Sequence, residues 1–520
     1  MKYLTYSGNN IIHAELPEKA SIFFPPPPLP GIPNKEIPGR VKAAFESPLD
    51  MPPLEELVDE NSRILIAFDD NCQPFPATKP PDIRQLAIET LLKMLDSYGV
   101  KQQNIDLMCA VALHRKMKTF ELAAMLGKRI MDTFYPHQLF NFDAEDSENI
   151  VTLDTTEKGE PVETSRKVIE SDLVIYVDSI QIPLNGGHKS VAVGLGTYNS
   201  IAPHHSPHMT LEKPHVMQPD GSDMHSSIER ISRVILKHTR IMVLEAAMNN
   251  SSYPPMMRYL SKPGDQCNVF EKLLKATTPA SLKLIPETMR FNIFKNVRSA
   301  YNPVEINAGS IDAVHEPTLQ TLKDQLLVTT DHQHDTLVFG LPDLSPYSVG
   351  TRINPVLVLS DVLGYIFNWF YNKPFVKPGG VVIILNPVFE FFHPEYHVAY
   401  KKFWDEVLPE TQDPVEIQSG FQERFAQDPY LIDCYRNRFA HHGFHPFTVW
   451  YWATYPLKYL SRVILAGPKT DFAARRLGVS WAPNLEHALG QAREVTGGND
   501  VVALTIPPFM YMQVNDGVSH

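Results

Sequence analysis

The chain has 520 residues, 43% of them hydrophobic and 20% charged, with a formal net charge of -12. That length and composition suit a globular protein of two or more domains, and the negative balance argues against a nucleic-acid backbone as main partner. The four cysteines, Cys72, Cys109, Cys267 and Cys434, form no CxxC pair. This disfavours a zinc ribbon or disulfide framework and suits a reducing, cytoplasmic setting.

The opening "MKYLTYSGNN" has no apolar core of the signal-peptide kind. "FFPPPPLPGIP" (23–33) reads as a short extended surface segment, too early to be an interdomain linker. An alternation of strands and helices follows. "RILIAFDD" (63–70) reads as a buried strand ending in acids. The next stretch places Ile83, Leu86, Ala87, Leu91, Met94 and Leu95 on one helical face, with Gly99 as its stop. "IDLMCAVALH" (105–114) is the next strand, "TFELAAMLG" (119–127) a helix capped by Thr119, and "SDLVIYVDS" (171–179) a further strand. Residues 251–298 are Pro- and Met-rich and read as irregular, so the domain change is placed there. "TLVFGL" (336–341), "VVIILN" (381–386), "RVILAG" (462–467) and "VVALTIP" (501–507) are strands of the second half. The apolar run 356–370 is broken by Asp361 and Asn368 and reads as a buried core helix rather than a membrane span. The expected fold is α/β: two α/β domains, 1–270 and 300–520, with mostly parallel sheets and the active site in the cleft between them.

In such sheets ligands sit beyond the carboxyl ends of the strands, where Asp69, Asp70, His114 and Asp178 fall. Gly186 and Gly187 allow close backbone approach to an anion beside Lys189. The segment is no Walker loop, and Gly194-Leu195-Gly196 is not completed to GxGxxG because position 199 is Asn. A tight turn with a surface lysine is the plainer alternative. His204, His205 and His208 form "HHSPH", a conceivable zinc set, although Pro207 opposes one regular helix there. His114, at a strand end, suits general acid/base work or a structural role.

In order the chain shows "DDNCQPFP", "AVALHR", "NGGHK", a histidine 16 residues beyond the lysine (205 minus 189), "LEAAMNN", "GSIDAVHEPT" and "LGVSWAPNLEHALGQA". This resembles the nickel-dependent lactate racemase family, with its D-x-T-R-P-x-P segment, A-x-G-x-H strand end, G-G-x-K loop and downstream histidine. The resemblance implies a nickel-pincer nucleotide, a pyridinium mononucleotide with two thiocarbonyl arms, one joined to a lysine. By motif, Lys189 is the attachment point and His205 the nickel ligand, with Gly186, Gly187 and Asp70 beside the cofactor. It also implies a 2-hydroxy acid substrate whose hydroxyl proton goes to His114 while hydride moves to the cofactor. Two positions depart from the pattern. The family's second catalytic histidine falls on Ser179, and its carboxylate-binding arginine falls on Gln73. Asp178 or His188 is the candidate replacement for the missing base, and Gln73 and Ser179 are the candidate substrate contacts.

The expected function is therefore racemisation or epimerisation of a hydroxy acid other than lactate, bulkier or sugar-derived. The alternatives are a nucleotide-binding member without racemase activity and a zinc-dependent α/β hydrolase using the "HHSPH" histidines. The expected partner is a small molecule, with neither nucleic acid nor membrane.

Overall fold

The computed structural model describes residues 1–505, 507 and 509–515. Its strands in chain order are β1 (Lys2–Ser7), β2 (Asn10–Glu15), β3 (Ser21–Phe23), β4 (Ile64–Asp69), β5 (Ile105–Ala110), β6 (Leu139–Asn141), β7 (Ile150–Thr155), β8 (Pro161–Ser165) and β9 (Leu173–Ile180). The second half adds β10 (Ile241–Met248), β11 (Pro303–Gly309), β12 (Leu327–Thr330), β13 (His334–Gly340), β14 (Val376–Leu385), β15 (Arg462–Ala466), β16 (Ser480–Ala482), β17 (Val501–Leu504) and β18 (Tyr511–Val514).

Two six-stranded sheets dominate. The first has the order β11-β10-β9-β4-β5-β6 and is parallel except for β11, which runs antiparallel to β10. The second, β16-β15-β14-β13-β17-β3, is parallel throughout. Central strands are covered on both faces, so they read as near-continuous apolar runs rather than alternating ones; all eight residues of β9 are buried. Apolar packing runs continuously between the two halves, from Ile37 and Phe45 to Tyr511 and Val514.

The strand orders fix where a ligand can enter. In the first sheet the chain winds outward from β4 through β5 to β6, then returns to lay β9 and β10 on the other side of β4. In the second it winds from β13 through β14 to β16 and returns to β17. Loops leaving a sheet in opposite directions open a crevice at the carboxyl ends of the diverging strands. These switch points lie between β4 and β9 and between β13 and β17.

The helix Ile83–Ser97 follows its sequence signals closely. Asp82 caps it by accepting from the backbone N–H of Arg84 at 2.9 Å. Ala87, Leu91 and Leu95 are fully buried, and Gly99 ends the turn at φ +86°. Other boundaries differ from the sequence reading. The helix expected at 119–127 does break at Gly127, whose φ is +76°, and a second helical segment continues to Phe134; its cap is Lys118 rather than Thr119, and the Lys118 N–H donates to Glu121 at the helix's own third position, 2.9 Å away. Residues 251–298 are not irregular. They hold helices Val269–Lys283 and Glu287–Lys295, hidden in sequence because Pro279 interrupts the first and both expose apolar residues such as Phe270 and Met289. Sheet membership also departs from the expected division. β3 pairs with β17 in the second sheet, so the proline-rich segment after it carries the chain from one sheet to the other. β11, expected in the second half, closes the edge of the first sheet against β10. The run 356–370 is buried as expected. It is helical from Pro355 to Ser360, then widens to a π-helical turn, Asp361–Ile366. Among the described residues no helix is long and apolar enough to cross a membrane.

Candidate functional site

Both switch points open on one cavity of about 200 Å³. One water needs only ~10–15 Å³, so the space suits an organic molecule. The first sheet contributes Asp69, Asp70, Gln73, His114, Lys189 and His205; the second half contributes Leu341, Tyr347, Asp361, Tyr365, His445 and Trp452.

Asp70 follows β4 and is held from below. The buried Arg84 guanidinium pairs with Asp82 at 2.8 Å and donates to the carbonyls of Asp69 and Asp70 at 2.9 and 2.5 Å. The Asp70 carboxylate accepts from the Cys72 N–H at 2.9 Å and meets His114 Nδ1 at 2.7 Å. Burial would raise its pKa, but the His114 charge and these hydrogen bonds outweigh that and hold it below the usual value. A carboxylate on Nδ1 fixes the tautomer and leaves Nε2 as the nitrogen for chemistry. The rings of Tyr347 and His445 stand edge-on to His114, each with centroids 5.2 Å away.

Lys189 follows β9, at the start of the short helix His188–Ala192, and donates to Asn185 Oδ1 at 2.8 Å. The loop before it requires glycine. Gly187 has φ +59°, and a Cβ there would come within 2.6 Å of the His315 ring. The Gly187 N–H donates to Glu245 Oε1 at 2.7 Å, and His315 Nδ1 lies 3.0 Å from the same oxygen. Glu245 and His315 thus clamp the loop from behind. Burial lowers the Lys189 pKa to about 8, against the partial restoring effect of Asp69, Asp178 and Asp70. Beneath it burial raises Asp69 to about 6, and burial together with the Asp69 charge pushes Asp178 well above the carboxylate range. Burial and mutual repulsion thus disfavour both carboxylates being ionised together.

His205 follows the helix Tyr198–His204. Its Nδ1 is 2.7 Å from His204 Nδ1, and its ring stacks on Trp452 at 5.6 Å. Burial first, then the neighbouring His204 and Lys189, lower its pKa well below 6.5, so the imidazole is unprotonated and can act as a metal ligand.

Of the sequence-derived candidates, Asp70, Gln73, His114, Gly186, Lys189 and His205 line the cavity. Gly187, Asp178, Ser179 and His188 do not. Asp178 and Ser179 lie inside the buried strand β9, where Asp178 accepts from Ser190 at 2.8 Å and the Ser179 N–H donates to Asp69 at 2.9 Å. His188 turns away to Ser232 and Asp312, at 2.9 and 3.0 Å, because adjacent residues of a helix leave on different sides. The "HHSPH" set does not assemble either. Pro207 starts a new helix, Pro207–Leu211, and His208 is 71% exposed beside Glu212. Sequence reasoning missed His445, Asp361, Tyr347 and Tyr365. They carry no local motif; only the topology brings them to the site.

These features define a doubly wound α/β protein whose cavity offers a readily neutralised amine and an unprotonated imidazole beside a carboxylate–histidine pair. Residues 8–217 match the family model of the lactate racemase N-terminal domain. A lactate racemase from Thermoanaerobacterium thermosaccharolyticum is 24% identical over 169 residues, 32% of this chain and 37% of that protein. The chain thus aligns with little over a third of that relative's length. The solved lactate racemase apoprotein from the same organism superposes with a TM-score of 0.63 at 15% identity, covering 97% of this chain and 98% of that one. A structure of a protein from Thermotoga maritima gives 0.52 at 13% identity, covering 94% and 99%. The chain is thus similar in sequence to the lactate racemase N-terminal domain over residues 8–217, and it shares its overall fold with the lactate racemase apoprotein.

Proposed function

We propose that this protein is a racemase-type enzyme that inverts a hydroxyl-bearing carbon in a compound bulkier than lactate, using a nickel-pincer nucleotide. One observation carries the reading: Lys189, His205 and the His114–Asp70 pair open on one cavity. The residues fit the group. Lys189 is a buried-loop amine that loses its proton near pH 8, as covalent attachment requires. His205 presents an unprotonated imidazole, a donor suited to nickel. When bound, the nucleotide would supply hydride acceptance and return at the substrate carbon.

The chain's own residues supply the proton handling. His114, oriented by Asp70, takes the hydroxyl proton at Nε2 as hydride leaves the same carbon. The planar ketone that results can be reduced from either side, and His114 returns the proton. His445 serves as the second imidazole in place of the histidine absent at Ser179. Its Nδ1 is tied to the Tyr400 hydroxyl at 2.7 Å, which leaves Nε2 for the cavity. The apolar walls exclude water and keep the ketone from leaving. In this reading the cavity is the cleft between two α/β domains, the N-terminal one holding Lys189 and His205.

The test is a chiral assay of protein made together with the cofactor-synthesis enzymes, across hydroxy compounds of increasing size. Inversion of a compound larger than lactate, with His114→Gln reducing turnover by about 10²–10⁴-fold, is expected. Efficient lactate racemisation, or full activity in His114→Gln, contradicts the proposal.

A further inference from the structure

The cavity walls bear on which hydroxy compound binds. Apart from Lys189, no lining residue among those described is a lysine or arginine. Arginines close to it in sequence are neutralised elsewhere: Arg84 by Asp82, Arg115 by Glu121 at 2.6 and 2.8 Å, and Arg352 by Glu287 and Asp343. Once Lys189 is acylated, no lysine or arginine faces the cavity, and His114 is already paired with the Asp70 carboxylate at 2.7 Å. Three acids face it: Asp69, Asp70 and Asp361. The rest of the wall is largely apolar or aromatic, including Phe75, Ile182, Trp369, Trp452 and Phe509. A substrate carboxylate would enter this space without a counter-charge that is not already paired, and burying an unpaired carboxylate is costly.

Asp361 is the one carboxyl that the second half places on the cavity wall among the described residues. It is 5% exposed, and its Oδ1 has no hydrogen-bond partner. A buried polar atom without a partner costs about 1–3 kcal/mol unless a ligand satisfies it. It stands at the start of the π-helical turn Asp361–Ile366, beside Tyr365. Such widened turns recur at functional sites. Burial raises its pKa to about 8, so it is a neutral acid at pH 7, able both to donate and to accept.

We infer that the site takes an uncharged hydroxy compound with an apolar, aryl-sized group, such as a hydroxy amide or ester, oriented by the carboxyl of Asp361. This rests on the proposed function only in placing the hydroxyl carbon at His114. It narrows the expected substrate away from hydroxy acids and from heavily hydroxylated sugar acids, whose hydroxyls would lack partners on the apolar wall.

Mandelamide and mandelate test it, since they share ring and hydroxyl and differ in charge. Their binding to the full chain is measured by calorimetry at pH 7 in Lys189→Met, which removes the ammonium as acylation would. Lys189→Gln serves as a second background should the first fail to fold. Mandelamide should bind at least about tenfold more tightly than mandelate. Asp361→Asn should hold mandelamide within a few-fold, and Asp361→Leu should weaken it by about three- to tenfold, the worth of a neutral hydrogen bond. Gln73→Arg should tighten mandelate about tenfold or more. Mandelate binding as tightly as mandelamide, neither compound binding, or no loss in Asp361→Leu would overturn the inference. Loss of the functional reading shows differently, as absence of a Lys189 adduct with the binding preference intact.

Discussion

Replacing Lys189 by methionine should stabilise the cofactor-free protein, which runs against the usual effect of a site mutation. Burial drives the lysine pKa from 10.5 down to about 8. The fold therefore disfavours the ammonium. At ~1.36 kcal/mol per pH unit this amounts to about 3 kcal/mol. A methionine side chain fills nearly the same space without the charge. It removes the hydrogen bond to Asn185 Oδ1, at 2.8 Å, whose loss returns about 1 kcal/mol. The net gain expected at pH 7 is about 2 kcal/mol. The sign with pH follows from the direction of the shift. The cost of the ammonium is fully present below pH 8, shrinks between about 8 and 10.5, and is gone above that. Urea unfolding of wild type and Lys189→Met at pH 7 and pH 10.5 is the assay. A higher midpoint for the variant at pH 7 is predicted, and at pH 10.5 a reversal to slightly below wild type, by up to the ~1 kcal/mol of the lost hydrogen bond. A variant destabilised at pH 7, or a difference independent of pH, would refute the claim that burial makes this amine easy to deprotonate.

Two further outcomes follow from the supports of the site. Arg84→Met leaves Asp82 buried and unpaired and frees the Asp69 and Asp70 carbonyls, so unfolding stability should fall by about 3–5 kcal/mol in urea titration. Gly187→Ala places a Cβ within 2.6 Å of the His315 ring at φ +59°; it should cost about 1–3 kcal/mol and lower covalent loading of Lys189, read by intact mass.

The strands that carry the site were legible because parallel strands buried on both faces announce themselves as short apolar runs. Asp70, His114 and Lys189 sit just beyond three such runs, and strand direction alone brings their ends together. The glycine pair was legible as a loop, but not its clamp. Glu245 and His315 are 70 residues apart; β10 beside β9 brings Glu245 to the loop, and the helix Ile311–Leu326 brings His315 to Glu245. Facing was the weak point. Asp178, Ser179 and His188 lie within a few residues of the cavity in sequence, and all point elsewhere, since a buried strand and a short helix each turn neighbours to different sides. Asp361 and His445 were hidden for the opposite reason. They stand in apolar helical stretches that read as core, and each is chemical only because the second switch point faces the first. The two helices within 251–298 escaped because Pro279 and exposed apolar residues blur their periodicity.

The central claim is that Lys189 and His205 hold a nickel-bearing nucleotide. Intact-mass spectrometry with peptide mapping and nickel analysis, on protein made with the cofactor-synthesis enzymes, tests it most directly. The account predicts a nucleotide-sized adduct on Lys189, absent from Lys189→Ala, with nickel reduced in His205→Ala while adduct persists. An adduct unchanged in Lys189→Ala, or a protein that carries neither adduct nor nickel, would contradict it.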